Sequence, residues 1–317
     1  MFSGIAQRLG FHVPQPEVPA DESTGRFAES QWVVDFHTRL LKRARVQPAD
    51  ARPTAWTQAA RIGLNEDIRR ELLGWLDGQF READHIVIGD PRLSWFLSLW
   101  RRCAEEVGAA PRVVALLRHP AVIGGERRDG TRQGEISRTA GWLNQILFTE
   151  RATREGPRVF VRYEDLLDDW PRTIVRVGDL LNLRVIADAS WTSMVNVEQF
   201  LDPASLYADH DEVSLPPALR KQADEVWELV CLLAGQDSSD ERRVTDRLDA
   251  ARSAYVELYE DAEAIARSSV WAAGQARRVV SPRAPSPSIF RVVPLRLRRK
   301  VPLEFRKAVA RKLRGGA

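Results

Sequence analysis

Three groups of side chains able to hold or move charge each follow a short apolar run: Gly89-Asp90-Pro91-Arg92, Arg118-His119-Pro120 and Arg162-Tyr163-Glu164-Asp165. An arginine offers fixed, forked donors suited to phosphate or sulfate oxygens. Arg92 and Arg118 are therefore candidates for one anion site, provided the segments that carry them are neighbours. The competing expectation is structural. Strand-end arginines also form ion pairs, here with Asp90, Glu164 or Asp165, and spacing alone leaves the two readings level. His119 has a side chain suited to proton transfer near neutral pH, yet a histidine between a strand and a proline more often holds a turn.

The elements that must position these groups are legible from hydrophobic period. His85-Ile-Val-Ile-Gly-Asp-Pro-Arg92 is a short β-branched run ended by turn residues, which predicts a buried strand feeding a loop. Arg112–Arg118 and Arg158–Arg162 predict two further strands. Helical spacing marks 29–44, 65–80, 93–107, 137–154, a stretch from Tyr163 to Leu181, 216–234 and 241–268, the last rich in Ala and charges and expected at the periphery. Strands alternating with helices at these lengths predict a doubly wound α/β domain: parallel strands joined by right-handed crossovers, with a helical C-terminal region. In such a sheet ligands bind at the carboxyl ends of the strands, where all three charged groups sit.

Composition narrows the class. The chain has 317 residues, 44% of them hydrophobic, enough for one large α/β domain with an appendage. Cys103 and Cys231 fit reduced thiols in a cytoplasmic protein, not a disulfide framework or a metal motif. The opening residues carry no signal-peptide pattern, and no apolar stretch reaches the length of a membrane span. Charge is segregated. Trp271–Ala317 holds 13 basic residues and one acid, Glu304, for +12, while the remaining 270 residues carry −9. A nucleic-acid binder would carry its basic footprint on the folded face, so the expectation is of no nucleic-acid partner. Residues 1–235 are read as the α/β domain, 236–280 as a peripheral helical region, and 281–317 as a Pro/Ser linker and basic tail. Residues 289–313 mix Arg/Lys with Leu, Val and Phe, which fits a solvated tail, a surface-docked helix or a segment at a membrane interface.

The ordered series HIVIGDPRLSWFLSLWR (85–101), VVALLRHPAVIGGER (113–127), TAGWLNQILFTERATREGPRVFVRYEDLLDDW (139–170) and VGDLLNL (177–183) resembles bacterial sulfotransferase-family proteins. So does the earlier LGFHVPQPEVPADE…GRFAESQWVVDFHTRLL. The resemblance spans residues 4 to 234. It implies a fold related to P-loop NTPases and transfer of a sulfuryl group from 3′-phosphoadenosine 5′-phosphosulfate to a hydroxyl or amine on a small molecule or carbohydrate, with no metal. Arg118 matches the strand-end arginine that grips the donor's 3′-phosphate. Glu29 matches an acidic residue near the acceptor and is the first candidate for general base, with Asp35, His37 and His119 as rivals. Arg92 and Arg127 are expected anion contacts, and Tyr163 either walls the crevice or touches ligand.

Three features depart from the family pattern. No Gly-x-x-x-x-Gly-Lys-Ser/Thr sequence occurs, whereas the family begins with a strand and a Gly/Ser/Thr-rich loop that cradles phosphate. Glu126 stands eight positions after Arg118, where the family usually has Ser. A carboxylate about 4 Å from a phosphate costs roughly 4 kcal/mol per unit charge product at an effective dielectric of 20. Finally, Phe200–Leu206 continues with the acidic 207–211, where the family tends to be basic. These departures leave a second expectation, a non-catalytic binding or scaffolding relative. They also raise the expectation of a start placed too late, and of a sheet either split or repaired by another segment.

Overall fold

The computed structural model describes residues 1–19, 28–121, 132–201, 215–235 and 241–280. Two strands form where the sequence runs continuously apolar: β1 (Val113–Leu117) and β2 (Arg158–Arg162), paired in parallel from Val113↔Arg158 to Leu117↔Arg162. Alternation along β2 sends Val159 and Val161 to one core and Phe160 to another. The first core is completed by Ile5 of α1 (Phe2–Arg8), Ile174 of α8 (Trp170–Leu181) and Val197 of α10 (Trp191–Phe200). The second is completed by Leu143 of α6 (Arg132–Thr153), Val226 of α11 (Pro217–Ala234) and Leu248 of α12 (Glu241–Val280). Helices thus cover both faces of the strand pair in a mostly helical, mixed α/β arrangement.

A third core joins α2 (Gln31–Ala44), α3 (Ala55–Gly63), α4 (Glu66–Glu82) and α5 (Leu97–Glu106) through Phe36, Ala59, Leu72 and Leu99. Local chemistry sets the boundaries. Asn65 accepts from the backbone N–H of Asp67 and Ile68 to start α4, with Glu66 and Asp67 in its electropositive first turn. Arg45 takes a left-handed conformation (φ 56°) to end α2.

Four elements differ from the sequence expectation. The run His85–Arg92 is not a strand. Only Ile86 bridges, in parallel with His12, through His12 N–H to His85 O (2.8 Å) and Val87 N–H to His12 O (2.9 Å). An apolar run becomes a strand only when a neighbour supplies a ladder, and among the described residues the sheet has two strands. A doubly wound sheet is therefore more than these residues contain. Next, the helix expected from Leu93 begins earlier, as a 3₁₀ turn (Pro91–Phe96), because Asp90 accepts from the Arg92 N–H and Pro91 suits a first helical turn. The stretch after β2 is two helices, α7 (Tyr163–Asp168) and α8, separated at Asp169, whose side chain caps α8. Lastly, α12 is not peripheral throughout: Val244, Leu248, Ala251 and Tyr255 are core. The chain divides into two compact units, Met1–Asp261 and Ala262–Ala317.

Candidate anion-binding site

Parallel register sets Leu117 opposite Arg162, so the residues that follow them, Arg118 and Tyr163, emerge side by side at the carboxyl ends. The Arg118 guanidinium lies 4.6 Å from the Tyr163 ring centroid, a cation–π contact that orients it. Arg162 is paired with Asp165, and the ion pair expected as the alternative for Arg92 is present, Arg92 Nε lying 2.7 Å from Asp90 Oδ1.

The second half of the site is the turn at Asp90. Its side chain is fully buried. Oδ1 accepts from the Arg92 backbone N–H (2.8 Å) and from Arg92 Nε (2.7 Å), while Oδ2 meets His37 Nδ1 at 2.8 Å. The Trp100 indole N–H lies 2.7 Å from His37 Nε2. An indole nitrogen only donates, so Nε2 accepts, the ring proton sits on Nδ1, and Nδ1–H donates to Asp90. Burial pushes the His37 pKa down, with Asp90 opposing, and the imidazole is neutral in this tautomer. Both ring nitrogens are thus engaged. Arg92 Nη1 donates to Thr38 Oγ1 (3.2 Å), and among the described residues Nη2 makes no hydrogen bond.

Glu29 shares the neighbourhood. Burial raises its pKa and the Asp90 charge raises it further, against the pull of Arg92 and the Met1 amine. Burial lowers the Met1 amine pKa, Glu29 opposes that, and Arg118 adds to it. Glu29, Arg92 and Arg118 therefore act on one electrostatic environment. Gly89 permits the close approach that brings α1 in: a Cβ there would lie 2.6 Å from Ser3 Oγ.

His119 is placed on the α11 side. Its ring meets Trp227 edge-on at 5.0 Å, and its Nδ1 accepts from the Ala121 N–H (3.2 Å). Asp35 is exposed and accepts from Gln31 (3.0 Å). Arg127 lies outside the described residues, as do Gly125, Glu126, 202–211 and the tail. Sequence reasoning missed Trp100 and Thr38. Trp100 carries only a core-stripe signal, and nothing in the spacing announces its N–H as a partner for His37.

A surface cleft lined by Val175, Gly178, Asp179 and Ile186 lies between α8 and α9 (Arg184–Ala187) and contains none of these side chains. Among the described residues no group of three His, Cys, Asp or Glu is placed to hold a metal, and no helix is long and apolar enough to cross a membrane. Cys103 is buried, and burial pushes the Cys231 thiol up to about 11. Comparison with family models, with curated proteins and with solved structures returned no match.

Proposed function

We propose that this chain is a sulfotransferase-type protein that binds 3′-phosphoadenosine 5′-phosphosulfate and transfers its sulfuryl group to a hydroxyl or amine of a small molecule or carbohydrate. The supporting observation is that Glu29, Arg92 and Arg118, far apart in sequence, act on one electrostatic neighbourhood beside the carboxyl ends of a parallel strand pair. On this reading β1, β2 and the extended run before Gly89 are parts of a doubly wound, P-loop NTPase-like sheet. Arg118, steadied by Tyr163, holds the 3′-phosphate. Arg92 meets the oxygens of the transferring group, with Arg127 as a further contact. Glu29 takes the acceptor's proton while a new O–S or N–S bond forms and the bond from sulfur to the bridging oxygen breaks, releasing adenosine 3′,5′-bisphosphate. Charge spreads over the sulfuryl oxygens in such a transfer, so positioned cations carry most of the stabilisation. His119 stands second to Glu29 as base. The compartment is cytoplasmic, with the basic tail meeting anionic membrane.

Calorimetry with adenosine 3′,5′-bisphosphate tests the donor half. Micromolar binding is expected, weakened about ten- to hundredfold in Arg118→Ala, the range for a charge-assisted hydrogen bond to a charged group. Absence of binding to the wild type overturns the assignment. A second reading, a non-catalytic binding or scaffolding relative, is favoured by the missing Gly-x-x-x-x-Gly-Lys-Ser/Thr pattern and by Glu126. Micromolar nucleotide binding would end it.

A further inference from the structure

A serine at a helix N-cap ordinarily turns its hydroxyl oxygen onto the backbone N–H two or three residues on. Ser190 does so at α10, accepting from the Ser193 N–H at 3.1 Å. Ser30 does not. It stands at the N-cap of α2 in an extended conformation (φ −73°, ψ 127°), and its side chain makes no capping bond. The residue is 4% exposed, and its Oγ is a buried atom without a hydrogen-bond partner. The neighbouring backbone is in the same condition. Gln31 N–H donates to Pro16 O (2.9 Å) and Val34 N–H to Ser30 O (3.1 Å). Between them, among the described residues, the N–H groups of Trp32 and Val33 have no acceptor. Val33 is 1% exposed, so bulk water does not reach its N–H. A hydroxyl one bond beyond Cβ stays beside the first turn in every rotamer, so the three polar groups share one place. Leaving buried polar groups unmade is costly, and such a set calls for an atom that the chain does not itself supply.

We propose that the first turn of α2 is a binding seat for a neutral ligand hydroxyl, of the kind a polyol or carbohydrate bears, held by Ser30 Oγ and the N–H groups of Trp32 and Val33. The chemistry of the turn selects that group. Two N–H donors at the positive end of a helix require a lone pair, which an ammonium lacks. A second anion is opposed, because Glu29, next in the chain, is already pushed toward its neutral form by burial and by the Asp90 carboxylate. A hydroxyl satisfies both conditions: its oxygen accepts from the backbone, and its proton goes to Ser30 Oγ or to Glu29. Ser30, Val33 and His37 recur at i, i+3 and i+7, which puts the seat on the α2 face that His37 turns toward Asp90. Glu29, Gln31 and Trp32 around it are only half-buried, so the seat lies one residue below the surface. A water molecule has the same donor and acceptor capacity and occupies the seat until a ligand displaces it. The seat rests on the proposed function only in making this hydroxyl the acceptor's. With Glu29 as base, it admits a hydroxyl acceptor and turns away an amine.

The test follows the backbone amide NMR resonances of Trp32 and Val33 in the full chain, titrated separately with glycerol, methylammonium and inorganic sulfate. Glycerol should move both amides saturably, while methylammonium and sulfate leave them in place. Ser30→Ala should weaken glycerol about two- to tenfold, the share of one hydrogen bond. The same variant should melt no lower than the wild type, because no capping bond is lost, whereas a serine that merely caps α2 would lower the melting temperature when removed. A crystal soaked in glycerol should show a hydroxyl oxygen within hydrogen-bond distance of Ser30 Oγ and Val33 N. Amides indifferent to glycerol overturn the proposal, as does a water at the turn that glycerol does not displace. An equal response to sulfate makes the turn an anion site and overturns it too. So does a Ser30→Ala protein that melts lower with glycerol affinity unchanged, which assigns the serine to the helix cap. Glycerol at the seat of a protein that binds no adenosine 3′,5′-bisphosphate removes the donor assignment and leaves the seat standing. Nucleotide binding with no glycerol at the seat does the reverse.

Discussion

Burial and the neighbouring Asp90 carboxylate both push the Glu29 pKa up, and the Arg92 and Met1 cations recover only part of the shift. A carboxyl group raised in this way favours its protonated form in the folded state. Its contribution to stability is therefore largest below the unfolded pKa and declines as pH rises through the folded value. That sign predicts a trade-off of the kind common at functional sites. Glu29→Gln should melt higher than the wild type near neutral pH, and the gap should close as pH falls below the ordinary glutamate range. If Glu29 is the base, the same variant should lose about 10²- to 10⁴-fold in sulfuryl transfer while its affinity for adenosine 3′,5′-bisphosphate holds. Thermal melts across pH together with a transfer assay read both quantities. A variant that is less stable at pH 7 contradicts the electrostatic account. One that transfers normally removes Glu29 from the chemistry and passes the role to His119.

The segment between α2 and α3 shows how an element without regular structure is fixed. Asn144 of α6 is wholly buried and donates to Asp50 O (2.7 Å) and Arg52 O (3.0 Å) while accepting from the Trp56 indole (3.2 Å). Tyr255 of α12 donates its hydroxyl proton within reach of Ala51 O (2.6 Å) and Ala140 O (2.8 Å). Gly141 lets the segment lie against α6, since a Cβ there would sit 2.3 Å from Ala49 O. Asn144→Ala should therefore cost about 2–4 kcal/mol in urea denaturation, from the buried polar groups left unpaired. A loss under about 0.5 kcal/mol, the size of an ordinary surface substitution, contradicts the clamp. None of these bonds is visible in the residues 46–53, which read only as a proline-broken loop. The strands at 113–117 and 158–162 were legible because a continuous apolar run carries its own signal. The run at 85–92 was misread as a strand because its ladder partner is a property of other segments. Arg92 and Asp90 were legible as a charged pair by adjacency. The part of His37 was not, because it depends on Trp100, 63 positions away.

At the scale of the whole molecule the dominant feature is segregated charge. The first 270 residues carry −9 and the last 47 carry +12, so the sequence pI of about 9.1 describes the tail more than the body. Within 289–313 the cations alternate with Ile, Val, Leu and Phe, the composition of a segment suited to an anionic interface. Each Lys or Arg near such a surface contributes about 1 kcal/mol, and the attraction decays within a Debye length of about 10 Å at 0.1 M salt. If the tail meets such a surface, the net negative body is repelled by it and the contact is confined to the tail. Full-length protein should therefore sediment with vesicles containing phosphatidylserine and not with purely phosphatidylcholine vesicles. Binding should fall steeply between low and moderate salt, and replacing the three adjacent cations Arg298, Arg299 and Lys300 with Gln should weaken it more than replacing Arg277 and Arg278, which precede the proline-rich stretch. Equal sedimentation with both kinds of vesicle, or insensitivity to salt, refutes an electrostatic membrane contact and returns the tail to a solvated basic segment.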